Sequence, residues 1–179
     1  TFTETYWALR RKTVKSIENK IQKAHISILM VCHGNICRSP MAEYVMKDLA
    51  AKAGLSNRLF IASAATSTEE IGNGVHWGTR QKLSSVGIST AGKTAVQIKK
   101  SDYKTYDYII GMDQWNMKNM HRFWGGDPDK KLYKLLSFAG SDRDVADPWY
   151  TGDFDQTYTD VLAGCQGLLA HLKKQCPSS

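Results

Sequence analysis

The sequence predicts a doubly wound α/β fold, a four-stranded parallel sheet with helices on both faces. Three observations carry this. Short apolar runs alternate along the chain with segments whose apolar residues recur at helical spacing. The first run, Ile26-Ser27-Ile28-Leu29-Met30-Val31, is nearly continuous, as in a strand buried on both faces. A tight turn then leads straight into a helix, so the chain opens as strand, turn, helix.

The elements follow in order. After the turn, Ser39 offers a hydroxyl at a helix start and Pro40 suits the first helical position. Met41, Val45 and Leu49 share one face, and Gly54 stops that helix. Leu59-Phe60-Ile61-Ala62 reads as strand two, with a Ser/Thr-rich loop and the Ile71-Gly72-Asn73-Gly74 turn behind it. A helix runs from about His76 to near Gly87. Tyr108-Ile109-Ile110-Gly111 is strand three, and Asp113 begins a helix bearing Trp115 and Met120. Lys131 to Phe138 reads as strand four, with a loop ending in Asp147-Pro148-Trp149-Tyr150. In the last helix Asp153 and Gln156 make a capping box, and Phe154, Tyr158, Val161, Cys165, Leu168 and Leu172 form one stripe. Sheets of this kind bind ligands at the carboxyl ends of their strands. The turn after strand one, Asp113 and the Asp147 loop all belong there.

With 179 residues, 42% hydrophobic and 23% charged, the chain is one globular domain with a real core. Gly 14 and Pro 4 exclude collagen-like and disordered classes. No apolar stretch approaches the ~20 residues of a membrane helix, and no signal peptide is visible, so a soluble, cytoplasmic protein is expected. The formal charge of +7 is uneven. Arg10, Arg11, Lys12, Lys15, Lys20 and Lys23 face only Glu4 and Glu18 near the start, among Trp7, Val14, Ile17 and Ile21. Residues 1–25 therefore read as a basic amphipathic extension, and 26–179 as the domain. The mildly basic remainder suits a small anionic substrate. No helix carries a dense basic face, so neither nucleic acid nor a membrane is an expected partner. Cys32, Cys37, Cys165 and Cys176 form no Cys-x-x-Cys pair, and His33 alone adjoins the close pair, so reduced thiols without a metal are expected. Cys165 falls on the core stripe and Cys176 in the tail.

The chemistry concentrates in Cys32-x5-Arg38-Ser39. Backbone N–H groups of a tight turn entering a helix make an anion nest, and Gly34 permits the required close approach. Arg38 adds a planar fork matched to two phosphate oxygens. The field that holds a dianion also favours a thiolate, so Cys32 is expected to ionise readily and act as a nucleophile. A lone cysteine after a buried strand is usually a small hydrophobe. The setting of this one, between strand and helix with Gly inside and Ser-Pro behind, favours catalysis. A Walker-type loop is excluded by the missing Gly-Lys-Ser/Thr ending.

Val31-Cys32-His33-Gly34-Asn35-Ile36-Cys37-Arg38-Ser39-Pro40-Met41-Ala42-Glu43 resembles the signature loop of the low-molecular-weight protein tyrosine phosphatases. The resemblance continues through Ser63-Ala64-Ala65-Thr66-Ser67, Ile71-Gly72-Asn73, Tyr106-Asp107-Tyr108-Ile109, Met112-Asp113 and Asp147-Pro148-Trp149-Tyr150. It implies a flavodoxin-like fold and a cofactor-free phosphomonoesterase acting on phosphotyrosine proteins and aryl phosphates, with phosphate and vanadate as competitive ligands. By the same resemblance Cys32 attacks phosphorus, and the loop from His33 through Gly34, Asn35, Ile36, Cys37, Arg38 and Ser39 holds the phosphate. Ser39 also supports the thiolate, and Asn35 and Ser63 hold the loop in shape. Asp147 becomes general acid and then base. Asp127-Pro128 is a second Asp-Pro dipeptide, and an Asp beside Pro is commonly a turn former. Trp149 and Tyr150 tilt the choice to Asp147 and line the cleft, where Glu69 takes a position often held by an aromatic. Lys93 stands where many members place a histidine that supports Asn35. Cys37, within the same loop, is a candidate partner for an oxidised Cys32.

Three rivals remain at this level. Arginine phosphatases of this fold tend to have Thr at Ile36 and smaller residues after the Asp-Pro. Arsenate reductases need a pair of relay cysteines, which Cys165 and Cys176 do not supply. A pseudophosphatase would be expected to lack Cys32, Arg38 or Asp147.

Overall fold

The computed structural model describes residues 25–175, together with Glu4, Thr5, Ala8 and Arg11. The apolar stripe of the N-terminal extension and Cys176 lie outside the described residues.

The strands are β1 (Ile26–Cys32), β2 (Leu59–Ala65), β3 (Tyr108–Gly111) and β4 (Leu132–Lys134). All pair in parallel in the order β2-β1-β3-β4, with Cys32 opposite Ala65 and Val31 opposite Gly111. The two halves of the sheet therefore part at β1. Its carboxyl end lies at the switch point, where Cys32 is the last residue of the strand.

Alternation along β1 divides the core. Ile28, Met30 and Cys32 face one layer with α1 (Arg38–Lys52) and α6 (Phe154–Gln175), which contribute Met41, Val45, Met46, Val161, Cys165 and Leu168. Leu29 and Val31 face the other, with Ile109 of β3 and Met120 of α4 (Gln114–Trp124). Helices thus cover both faces. The first layer is completed by α2 (Trp77–Ser85) through Leu83, and Tyr103 of the short α3 (Asp102–Thr105), before β3, packs on the second.

Several local expectations differ from the structure. Strand two runs on to Ala65, so Ser63 lies within the sheet and not in the loop behind it. The region expected as strand four pairs only over Leu132–Lys134 and then becomes a 3-10 turn, Leu135–Ala139. Leu135 and Leu136 are buried together, which an alternating strand cannot do on one face. Gly164 and Gly167 on α6 admit that turn: a Cβ on Gly167 would lie 2.0 Å from the Phe138 carbonyl oxygen. The last helix has half of the expected box. The Gln156 N–H donates to Asp153 Oδ1 (2.9 Å), but its side chain turns to Asp160 and the Asp153 N–H donates to Thr151. The reciprocal box occurs instead at α4, between Asp113 and Asn116.

Candidate active site

The loop from Cys32 to Arg38 closes around the Cys32 sulfur. Its carbonyls are committed outward. That of Cys32 accepts from Thr66 N–H, that of His33 from Ser67 N–H, that of Ile36 from His76 N–H, and that of Cys37 from the Thr79 hydroxyl. Peptide planarity then sets the N–H groups of His33, Gly34, Cys37 and Arg38 on the opposite side of their peptide planes from these bonded carbonyls. Asn35 adopts φ 59, a left-handed conformation that a non-glycine residue holds only where its surroundings fix it. They do so here. The Asn35 side chain accepts from Val96 N–H (3.2 Å) and donates to the hydroxyls of Ser39 (2.8 Å) and Ser63 (2.9 Å).

Ser39 does not cap the helix. Cys37 occupies the cap with no side-chain bond, and Arg38 is the first helical residue. The Ser39 hydroxyl is used otherwise: it accepts from Asn35, which leaves its own hydrogen for Cys32 Sγ at 2.9 Å. The Asn35 N–H adds a second donor to that sulfur at 3.3 Å. A sulfur faced by two donors at the mouth of an N–H nest is arranged for negative charge.

Arg38 is buried, with every polar contact directed. Nη1 donates to Asp113 Oδ2 (2.6 Å) and the Val145 carbonyl (3.0 Å), and Nη2 to Asp147 Oδ2 (3.3 Å). Burial works against its charge, but Cys32, Asp113 and Asp147 outweigh that and hold the guanidinium more firmly protonated than usual. Asp147 caps α5 (Pro148–Thr151) through Oδ1, accepting from Trp149 N–H at 3.1 Å, and is the first residue before Pro148. Asp127, the alternative, is a turn former. It accepts from the Tyr103 hydroxyl and from the N–H groups of Lys131 and Leu132, and does not line the cleft. Cys37 is buried beside Cys32, and burial, reinforced by that neighbour, pushes its thiol up to about 12.

Cys32, His33, Gly34, Ile36, Cys37 and Arg38 floor a cleft of about 410 Å³. Trp149 and Tyr150 line it with Asp147, and both aromatics are exposed. The Trp149 ring meets the edge of His76, which itself stacks on Phe154. Glu69 and Glu70 also line it, and Glu69 pairs with His33 Nε2 at 3.0 Å. All the sequence-derived candidates therefore meet, except that Asn35, Ser39 and Ser63 stand behind the loop and not on its surface. Among the described residues no cluster suits a metal ion. No described helix is long and apolar enough to cross a membrane.

Three participants were not assigned from sequence. Asp113 orients Arg38, and its position at the end of strand three was the available signal. The Val145 carbonyl has no sequence signal. Glu43 is buried in α1 and accepts from the Ser63 hydroxyl at 2.6 Å. An acid amid Met41, Ala42, Val45 and Met46 on a core-facing helix was its signal.

Residues 27–178 match the family model described as "Low molecular weight phosphotyrosine protein phosphatase". The chain is 42% identical over 152 residues to the low molecular weight protein-tyrosine-phosphatase YfkJ of Bacillus subtilis, covering 84% of this chain and 97% of that protein. The crystal structure of YfkJ superposes with a TM-score of 0.82, covering 84% and 96% of the two chains. SP-PTP, a low molecular weight protein tyrosine phosphatase from Streptococcus pyogenes, superposes at 0.75 with 42% identity, over 82% of this chain and 93% of its own. The Drosophila arginine phosphatase DARP superposes at 0.74 with 30% identity, over 82% and 97%.

Proposed function

The chain belongs to the low molecular weight phosphotyrosine protein phosphatase family, and from that premise we propose that it hydrolyses phosphotyrosine monoesters through a phosphocysteine on Cys32. The observation that carries the mechanism is the sulfur itself, faced by Ser39 Oγ and Asn35 N at the floor of the cleft. In this reading the loop amides and Arg38 bind the equatorial oxygens, and Cys32 attacks phosphorus in line with the ester oxygen. The P–O bond to the phenol breaks as Asp147 donates its proton to the leaving oxygen. Asp147, now a carboxylate, takes a proton from water, which attacks phosphorus and returns Cys32 as thiolate with inorganic phosphate released. Asp113 positions Arg38, and Ser39 stabilises the sulfur as it leaves.

An aryl ester fits the cleft better than a phosphoguanidine. Ile36 borders the floor, and the exposed rings of Trp149 and Tyr150 supply flat walls. Residues 26–179 form the catalytic unit in this proposal, with 1–25 appended. Phosphotyrosine proteins are its substrates, phosphate and vanadate its competitive ligands, and the cytoplasm its compartment, where Cys32, Cys37 and Cys165 stay free thiols.

The test compares phosphotyrosine, phosphoserine and phosphoarginine peptides with a chelator present. Phosphotyrosine is expected to be hydrolysed fastest, and acid quench to trap phosphate on Cys32. Cys32→Ser is expected to lose turnover and keep vanadate binding. Full activity in that variant excludes the covalent route, and faster turnover of phosphoarginine excludes the substrate class.

A further inference from the structure

The aromatic wall of the cleft does not end at Trp149. Its ring meets the edge of His76 with centroids 5.8 Å apart, and His76 stacks on Phe154 at 5.2 Å with 16° between the planes. Beyond Phe154 lies a second groove of about 360 Å³. Trp77, Gln81 and Ser85 line it from α2, one stripe at four-residue spacing, and Gly152 and Phe154 line it from the segment that carries Trp149. The ring between cleft and groove is held in place. His76 Nδ1 accepts from Gly78 N–H (3.0 Å) as the cap of α2, which sets the orientation of the imidazole. The His76 N–H donates to the Ile36 carbonyl at 2.8 Å and so ties it to the cleft loop. Gly78 seats Phe154, since a Cβ at 78 would lie 2.4 Å from that ring.

We propose that this groove is a subsite for an apolar side chain of the substrate, on a residue flanking the phosphotyrosine, and that Trp77 selects it. The inference rests on the phosphotyrosine reading of the cleft. Single exposed apolar side chains are ordinary. Trp77, 62% exposed, is instead one of three exposed rings, with Trp149 and Tyr150, that line the groove and the cleft, and rings gathered in that way mark a contact surface. The charges at the groove are already answered. Lys82 pairs with Asp155 at 2.8 Å and lies over the Tyr158 ring, and Asp153 Oδ1 accepts from Gln156 N–H at the start of α6. No ammonium or carboxylate of the groove is left to select a charged side chain, whereas the rings of Trp77 and Phe154 gain from an apolar one. The groove is also within reach of a chain held at the cleft. Two ring steps of 5.8 and 5.2 Å separate Trp149 from Phe154, about three residues of extended chain. An apolar residue that far from the phosphotyrosine enters the groove while the phosphate stays over Cys32.

Phosphotyrosine peptides that differ at one flanking residue test this in the full chain. Leu, Ser, Lys and Glu are placed in turn at each position within about four residues of the phosphotyrosine, and kcat/KM is measured for the native protein and for Trp77→Ala. At one position Leu is expected to exceed Ser about tenfold, the scale of partly burying one aliphatic side chain. Trp77→Ala is expected to lose most of that ratio. The ratio is taken within each protein, so a general loss of activity cancels. Ser85→Phe fills the groove from the same stripe of α2 and is expected to lose the ratio as well, which keeps the test open if Trp77→Ala does not fold. No position that favours Leu, or a Leu preference that survives in these variants, overturns the proposal. A preference for Lys over Leu overturns it in favour of a basic flank drawn by Asp153 and Asp155. Weaker self-association of Trp77→Ala in sedimentation, with the ratio unchanged, gives the groove to a second copy of this chain and overturns it too. A small aryl phosphate that reaches only the cleft separates the two readings. If the native protein does not hydrolyse it, the phosphotyrosine reading fails and the subsite with it; if it is hydrolysed and no flank matters, the subsite alone is rejected.

Discussion

Replacing Asp147 by Asn separates two roles that one carboxylate holds. Oδ1 caps α5 and Oδ2 receives Arg38 Nη2. The amide keeps shape and cap, but its NH2 then faces the guanidinium, donor against donor, so one contact to Arg38 is lost. Arg38 retains its shorter bonds, to Asp113 at 2.6 Å and to the Val145 carbonyl at 3.0 Å. Losing the weakest of three contacts costs about 1 kcal/mol, near fivefold in rate, and this loss is the same for every substrate. The missing proton is different. General acid catalysis contributes ~10²–10⁴-fold for a poor leaving group and progressively less for an acidic phenol, which departs unaided. Expected, then, is a loss in kcat/KM of that order for phosphotyrosine, declining toward the fivefold floor across aryl phosphates of increasing phenol acidity. The parameter kcat/KM reports steps through phosphorylation of Cys32 and excludes the later hydrolysis. Asp127→Asn is the control, since Asp127 ties Tyr103 to the turn before β4. An equal loss for all leaving groups refutes the acid assignment and leaves Asp147 as a clamp on Arg38.

Two other perturbations test separate parts of the molecule. Peroxide is expected to convert the Cys32 thiolate to a sulfenic acid, which the Cys37 thiol attacks to form a disulfide with loss of water. Reductant should restore peroxide-treated enzyme, and Cys37→Ser should lose that recovery; equal recovery in both rejects the role. Gly167→Ala places a methyl 2.0 Å from the Phe138 carbonyl oxygen and 2.6 Å from its carbon, backbone atoms that cannot swing aside. The gain in helix propensity, ~1 kcal/mol, is expected to be exceeded by overpacking, for a net loss read in urea unfolding. An unchanged midpoint would mean that α6 seats on the 3-10 turn more loosely than this contact requires.

What was legible in the sequence is what depends on near neighbours. β1 and the stripe of α6 follow from apolar periodicity, and the loop from Cys32 to Arg38 is a local object whose glycine, cysteine and arginine lie within one turn. Strand four failed for the same reason that it looked convincing. Leu135 and Leu136 are apolar and consecutive, and only the approach of Gly164 and Gly167, some thirty residues later in the chain, lets that segment curl into a 3-10 turn. Ser39 shows the limit more sharply. Beside Pro40 its hydroxyl reads as a helix cap, and by local propensity it should be one. The structure turns it to Cys32 because Asn35, held by Val96 and Ser63 from two distant segments, donates to it. A capping hydroxyl would satisfy the backbone of α1 and leave the sulfur with one donor fewer. The helix instead begins at Arg38, with Cys37 at the cap position and no side-chain cap bond. Its first amides are then left without a side-chain cap, and in the proposed function a bound dianion is the partner they suit. In the proposed mechanism the departure from local propensity falls where the chemistry needs it: a cap on α1 is given up so that one hydroxyl can serve the nucleophile and the helix end can serve the phosphate.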